Sequence, residues 1–132
     1  MTTNYKILIA DDETQCVEAI YSHLSQSGYE IITAFDGAEA LEKIKNENPD
    51  IIILDINMPK MNGFEVLEQI RSNPPSAKWQ PVIIISTKDE FDSLRKGYEL
   101  EADYYVTKPF NLDKISNAVN IMISLLPLRK TK

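Results

Sequence analysis

Short apolar runs of strand length alternate with stretches of helical periodicity five times along the chain. The runs fall at residues 5–10, 30–34, 51–54, 82–86 and 104–106. The third and fourth, IIIL and VIII, show no polar alternation. A strand that is apolar on both faces suits a parallel sheet covered by helices on either side.

The stretches between the runs predict helices. Val17, Ile20, Tyr21 and Leu24 follow the i, i+3, i+4, i+7 rule of a buried face, and Gly28 after Ser27 offers a left-handed stop. Asp36 is placed to cap a second helix that carries Ala40, Leu41 and Ile44 and ends before Pro49. A third spans about 63–71 through Val66, Leu67 and Ile70, and a fourth aligns Phe91, Leu94 and Tyr98 on one face. The last, capped by Asn111, buries Leu112, Ile115, Val119, Met122 and Leu126. Strict alternation with short connections predicts a doubly wound α/β fold of five strands and five helices. One domain is expected over 1–132, its core at about 5–126 and a loose tail at 127–132, with no repeat or linker.

Composition narrows the class of function. With 132 residues the chain suffices for one domain. A net charge of -6 and a pI near 4.8 argue against a direct nucleic-acid binder, which needs a basic surface. A single cysteine, Cys16, cannot form an internal disulfide and fits a reducing compartment. The first residues lack a signal-peptide layout, and no apolar run reaches the length of a membrane span. A cytoplasmic protein with no membrane contact is the expectation.

In an open parallel sheet, ligands gather beyond the carboxyl ends of the strands, near the point where strand order reverses. Here the first strand ends in Asp11, Asp12 and Glu13, and the third in Asp55. The fourth ends in Ser86 and Thr87, and Lys108-Pro109 follows the fifth. An acidic pair after a strand is commonly a solvated turn, and each of these residues alone says little. Their joint placement at one sheet edge is informative. Anions packed together repel and call for a cation, and hard oxygen ligands suit Mg²⁺, or Mn²⁺. A carboxylate in such a site can itself be the nucleophile toward phosphorus, with a lysine and a metal countering the transferred charge.

The segments ILIADDE, DIIILDINMPKMNGFEVL, PVIIIST and ADYYVTKPF resemble, in order and spacing, the signatures of response-regulator receiver domains over about residues 5–126. The resemblance implies a flavodoxin-like fold with strand order 2-1-3-4-5. It implies that Asp55 is the phosphoacceptor, Asp12 a direct metal ligand and Asp11 its water-mediated neighbour. Asn57 would offer its backbone carbonyl to the metal, and Lys108 would contact the phosphoryl group. Ser86 and Tyr105 match the switch pair, and Lys108–Pro109 matches a cis peptide. Asn57 and Lys88 match the positions that border the path of the hydrolytic water. An acceptor side chain at the second position can orient that water, which the ammonium of Lys88 cannot, so the phosphorylated state is expected to outlast that of receivers with glutamate or glutamine there.

The partners implied are a histidine kinase or histidine phosphotransfer protein and a downstream protein target. Docking would involve Gln15, Glu18 and Ser22 on the first helix, with Pro109 and Phe110. A stand-alone module is expected, as a monomer or a phosphorylation-dependent dimer. One departure from the family pattern is Glu101, where glycine is frequent. Trp79 and Cys16 read as packing residues, and His23 lies within the first helix with no catalytic context. The alternative is an aspartyl-nucleophile, Mg²⁺-dependent phosphohydrolase. That class places a second Asp two residues after the nucleophile, where this chain has Asn57. A flavin or dinucleotide binder is weaker, because the four glycines never form G-x-G-x-x-G.

Overall fold

The three inner strands are rich in Ile and Val, whose stiff side chains pack well on a pleated surface. The computed structural model describes residues 5–76, 78–87, 89, 92 and 102–129. In chain order its elements are β1 (Lys6–Ala10), α1 (Thr14–Ser25), β2 (Glu30–Ala34), α2 (Gly37–Glu47) and β3 (Ile51–Asp55). There follow α3 (Gly63–Ser72), β4 (Val82–Thr87), β5 (Tyr104–Lys108) and α4 (Leu112–Arg129). The five strands form one parallel sheet in the order β2-β1-β3-β4-β5. The helix expected around Phe91, Leu94 and Tyr98 lies outside the described residues, as do Lys88 and Glu101. The fourth described helix, α4, is therefore the one expected last.

Successive residues of a strand face opposite sides, so the unbroken apolar runs serve two cores at once. Leu8, Ala10, Ile52, Leu54, Val82 and Ile84 pack under α2 and α3 with Ile44, Phe64 and Leu67. Ile7, Ile9, Ile51, Ile53, Ile83 and Ile85 pack under α1 and α4 with Val17, Ile20, Ile115 and Val119. Trp79 is half-buried against this second core, in keeping with a packing role.

The expected helix signals appear with their chemistry. The Asp36 carboxylate accepts from Glu39 N at 2.7 Å, and that bond holds its pKa below the ordinary carboxylate value, with help from Lys60. Asn111 Oδ1 accepts from Lys114 N at 3.0 Å at the start of α4. Gly28 stands at φ +89 after α1, and the Lys108–Pro109 bond is cis. Two expectations need correction. Tyr21 is 46% exposed, because the buried stripe of α1 is the narrower one of Val17, Ile20 and Leu24. The tail is shorter than expected, since α4 continues through Pro127 to Arg129. Proline fits helical φ and withholds only one N–H, a small loss in a last turn. Leu126 is only half-buried there.

A polar lock fixes the start of β5, the strand that carries Lys108. One Asp103 oxygen accepts from Val82 N at 2.7 Å and from Arg71 Nη2 at 2.7 Å. Arg71 in turn donates to the Gln80 carbonyl at 3.1 Å. The C-terminal turn of α3 is thereby tied to β4 and β5.

Candidate functional site

The chain winds outward from β1 to β2, then returns past β1 to β3, so strand order reverses between β1 and β3. Both strands end in acid at that crevice. Asp55 is the last residue of β3, registered beside Ile85 and only 3% exposed. Asp11 follows β1 directly, fully buried, with its N–H donating to the Ala34 carbonyl at 3.1 Å. Its Oδ1 accepts from Glu13 N at 2.9 Å, which turns the chain tightly toward α1. Asp12 is exposed at the mouth.

Carboxylate oxygens of Asp11, Asp12 and Asp55 all lie within 4.8 Å of one another. At an effective dielectric constant of about 20, two unit charges at that separation repel by roughly 3.5 kcal/mol. Lys108 supplies one positive charge against this cluster. Its Nζ lies 2.9 Å from Glu13 Oε1, 3.3 Å from Asp11 Oδ2 and 3.4 Å from Asp55 Oδ1. Burial disfavours the ammonium, but the Glu13 hydrogen bond and the charges of Asp55 and Asp11 outweigh it, so the Lys108 pKa is pushed above its usual value. A single ammonium does not balance three carboxylates. The donor set is all hard oxygen, partly open to water, and therefore fits Mg²⁺ or Mn²⁺. Asp11, Asp12 and Asp55 are the side chains that could hold such an ion.

Ser86 is buried next to the end of β4, and its hydroxyl donates to the Thr87 carbonyl at 2.8 Å. Tyr105 projects from β5, 38% exposed, its hydroxyl oxygen accepting from Ala102 N at 2.9 Å. Asn57 is exposed on the β3–α3 loop. That loop is held from two sides by glycines. The Gly63 N–H donates to the Ile56 carbonyl at 2.8 Å, and the Gly37 N–H to the Pro59 carbonyl at 3.3 Å. A Cβ on Gly37 would collide with the Met61 carbonyl, so the close approach of α2 to this loop requires glycine.

The structure thus brings Asp11, Asp12, Asp55 and Lys108 together, with Ser86 and Tyr105 on the two adjacent strands. Gln15, Glu18, Ser22 and Pro109 are exposed, whereas Phe110 is half-buried against the α1–α4 core. Glu18 and Ser22 line a shallow groove with Tyr21, Thr33 and Phe35. Two contacts were not foreseen. Glu13 holds Lys108, and its sequence signal was only its place in the acidic run after β1. Cys16 lies half-buried beside Asp11. Burial, then the hydrogen bond to Asp11 and the Asp11 charge, push its pKa up to about 12, so the thiol stays protonated at neutral pH.

A doubly wound sheet with acids and a lysine at its reversal point defines a class, and comparison with known proteins gives the family. The model of the response regulator receiver domain matches residues 7–120. The chain belongs to this family of signal-transduction modules of two-component systems. It is 42% identical over 121 residues, 91% of its length, to the alkaline phosphatase synthesis transcriptional regulatory protein PhoP of Bacillus subtilis, covering 49% of that protein. It is 34% identical over 109 residues, 83% of its length, to the probable transcriptional regulatory protein TcrX of Mycobacterium tuberculosis, covering 45% of it. The chain spans about half the length of these curated relatives. Among solved structures it is similar to the chemotaxis response regulator CheY4 of Vibrio cholerae, with a TM-score of 0.80, 31% identity and coverage of 91% and 99% of the two chains. A Francisella response regulator 1452 receiver domain gives a TM-score of 0.79, 35% identity and coverage of 92% and 98%. No helix among the described residues is long and apolar enough to cross a membrane.

Proposed function

We propose that this receiver accepts a phosphoryl group on Asp55 from a histidine kinase or histidine phosphotransfer protein, with Mg²⁺, and relays the event to a downstream protein target. The observation that carries this reading is the convergence of Asp11, Asp12, Asp55 and Lys108 at the ends of β1, β3 and β5. An Asp55 carboxylate oxygen attacks phosphorus while the bond to the donor imidazole nitrogen breaks. The electron pair returns to that nitrogen. Lys108 stands ready to meet the charge on the transferred oxygens, and the backbone carbonyl of Asn57 would join the three carboxylates around the metal. A bound divalent cation would supply charge neutralisation for the transferred group. Gln15, Glu18, Ser22 and Pro109 offer exposed contacts for the donor.

The test is incubation with a small phosphodonor. A stoichiometric, acid-labile adduct that forms only with a divalent cation is expected. Repeated turnover of a phosphorylated metabolite would favour the phosphohydrolase reading instead, which the absence of a carboxylate at Asn57 already disfavours.

The relay runs through Ser86 and Tyr105. A phosphoryl group brings strong acceptors that compete with the Thr87 carbonyl for the Ser86 hydroxyl. Movement of that side chain makes room for the Tyr105 ring, which must give up its contact with Ala102 N. The population shift is limited by the difference in these contacts between the two states. Amide spectra of the free and beryllofluoride-bound protein are expected to differ across residues 86–110. Agreement throughout that span would refute the relay. By the resemblance, Asn57 and Lys88 match the positions that border the water path and are expected to set the lifetime of the phosphorylated state.

A further inference from the structure

Glu13 stands outside the three carboxylates that cluster for a cation, yet it makes the shortest contact to Lys108, 2.9 Å against 3.3 Å for Asp11 and 3.4 Å for Asp55. Its backbone is pinned on both sides. The N–H donates to Asp11 Oδ1 at 2.9 Å, and the carbonyl accepts from Val17 N at 3.1 Å. Glu13 is the N-cap residue of α1 but makes no side-chain capping bond, so its carboxylate is spared for the reach to β5. An ammonium has three donors, and here three carboxylate oxygens surround it. Two of those oxygens belong to the group that a metal would use.

We propose that Glu13 is a positioning residue for Lys108: it draws the ammonium partly off Asp11 and Asp55, leaving their oxygens to a divalent cation, and yields it when a phosphoryl group arrives. The proposal rests on the reading of Asp55 as phosphoacceptor. Without the Glu13 carboxylate the ammonium loses its shortest ion pair, and Asp11 and Asp55 hold it more closely. Lysine and metal then compete for the same two carboxylates. A phosphoryl group, by contrast, no longer competes with Glu13 for the lysine. Loss of Glu13 therefore moves the two affinities in opposite directions. The Glu13 side chain is 65% exposed, so the effect is that of a partly screened pair.

Calorimetry of Mg²⁺ binding to the whole chain reads the first half of this. Glu13→Gln is expected to weaken Mg²⁺ by about two- to fivefold and, at saturating Mg²⁺, to tighten beryllofluoride by a similar factor. Glu13→Asp keeps the charge but falls a methylene short of the contact, and is expected to track Glu13→Gln. In a Lys108→Met background the Glu13→Gln change should leave Mg²⁺ affinity unaltered, because its effect passes through the lysine. Amide spectra establish that each variant is folded. A Glu13→Asp variant that matches wild type, or a Glu13→Gln effect that persists with Lys108→Met, would mean that Glu13 acts only as a nearby charge and would overturn the proposal. In that event wild-type Mg²⁺ binding and Asp55 labelling remain intact, and the parent reading stands. If the wild type neither binds Mg²⁺ nor takes label, both fall together.

Discussion

Asp55→Asn is expected to abolish phosphoryl labelling, by more than about a thousandfold, while leaving the fold intact. The substitution conserves shape and removes the oxygen proposed as nucleophile. Asp11 is fully buried and engaged with Glu13 N and Lys108, and Asp12 sits at the exposed mouth. Mg²⁺ affinity should fall as well, since one of three clustered carboxylates is gone. Stability in the absence of metal should move the other way. Asp55 is 3% exposed and repelled by Asp11 and Asp12, so its neutralisation relieves a like-charge contact. The loss of the 3.4 Å pair with Lys108 offsets part of that gain. Intact mass after exposure to a phosphodonor, together with denaturation midpoints in chelator and in Mg²⁺, reads both effects. Wild-type labelling of the Asn variant would remove Asp55 from the chemistry.

The parts of the molecule that could be read from the chain are those governed by local rules. Uninterrupted runs such as IIIL at 51–54 imply burial on both faces, and the two cores under opposite helix layers are that burial. Asp36 and Asn111 announce helix starts because their short acceptors reach an orphan N–H three residues on. Gly28 announces a stop because φ +89 is costly for any residue with a Cβ. Tyr21 was misplaced because the i+4 rule gives the face of a helix but not the width of its buried stripe. The site shows the same division. Strand ends put Asp11, Asp55 and Lys108 on one edge, whereas the Glu13–Lys108 contact joins residues 95 apart in sequence and depends on how far two side chains reach. The Cys16–Asp11 contact depends on how the first turn of α1 leaves β1. Neither has a periodic signature.

Gly63 is the other feature with no local signal, and Gly63→Ala is expected to damage stability and the site together. A Cβ there would lie 2.5 Å from the Asp55 carbonyl oxygen, 3.0 Å from Ile56 Cα and 3.2 Å from the Asp55 carbonyl carbon. All three are backbone atoms, so no rotamer change can relieve the clash. The start of α3 cannot simply withdraw. Asn62 Oδ1 accepts from Glu65 N at 2.9 Å, Glu65 Oε1 accepts from Asn62 N at 2.8 Å, and the Gly63 N–H is bonded to Ile56. Alanine has the better helix propensity by about 1 kcal/mol, but overpacking against fixed backbone costs about 1–3 kcal/mol, and the clash is expected to win. Because the obstructing carbonyl belongs to Asp55 itself, strain passes into the residue proposed as phosphoacceptor. Gly28→Ala supplies the contrast. It meets nothing within 4 Å but must hold φ +89, so it should cost about 1–2 kcal/mol through backbone strain alone. Both variants should therefore melt below wild type, and only Gly63→Ala should also weaken Mg²⁺ binding and slow labelling of Asp55. Equal Mg²⁺ affinity in Gly63→Ala and Gly28→Ala would show that the approach of α3 to β3 supports the fold without shaping the site.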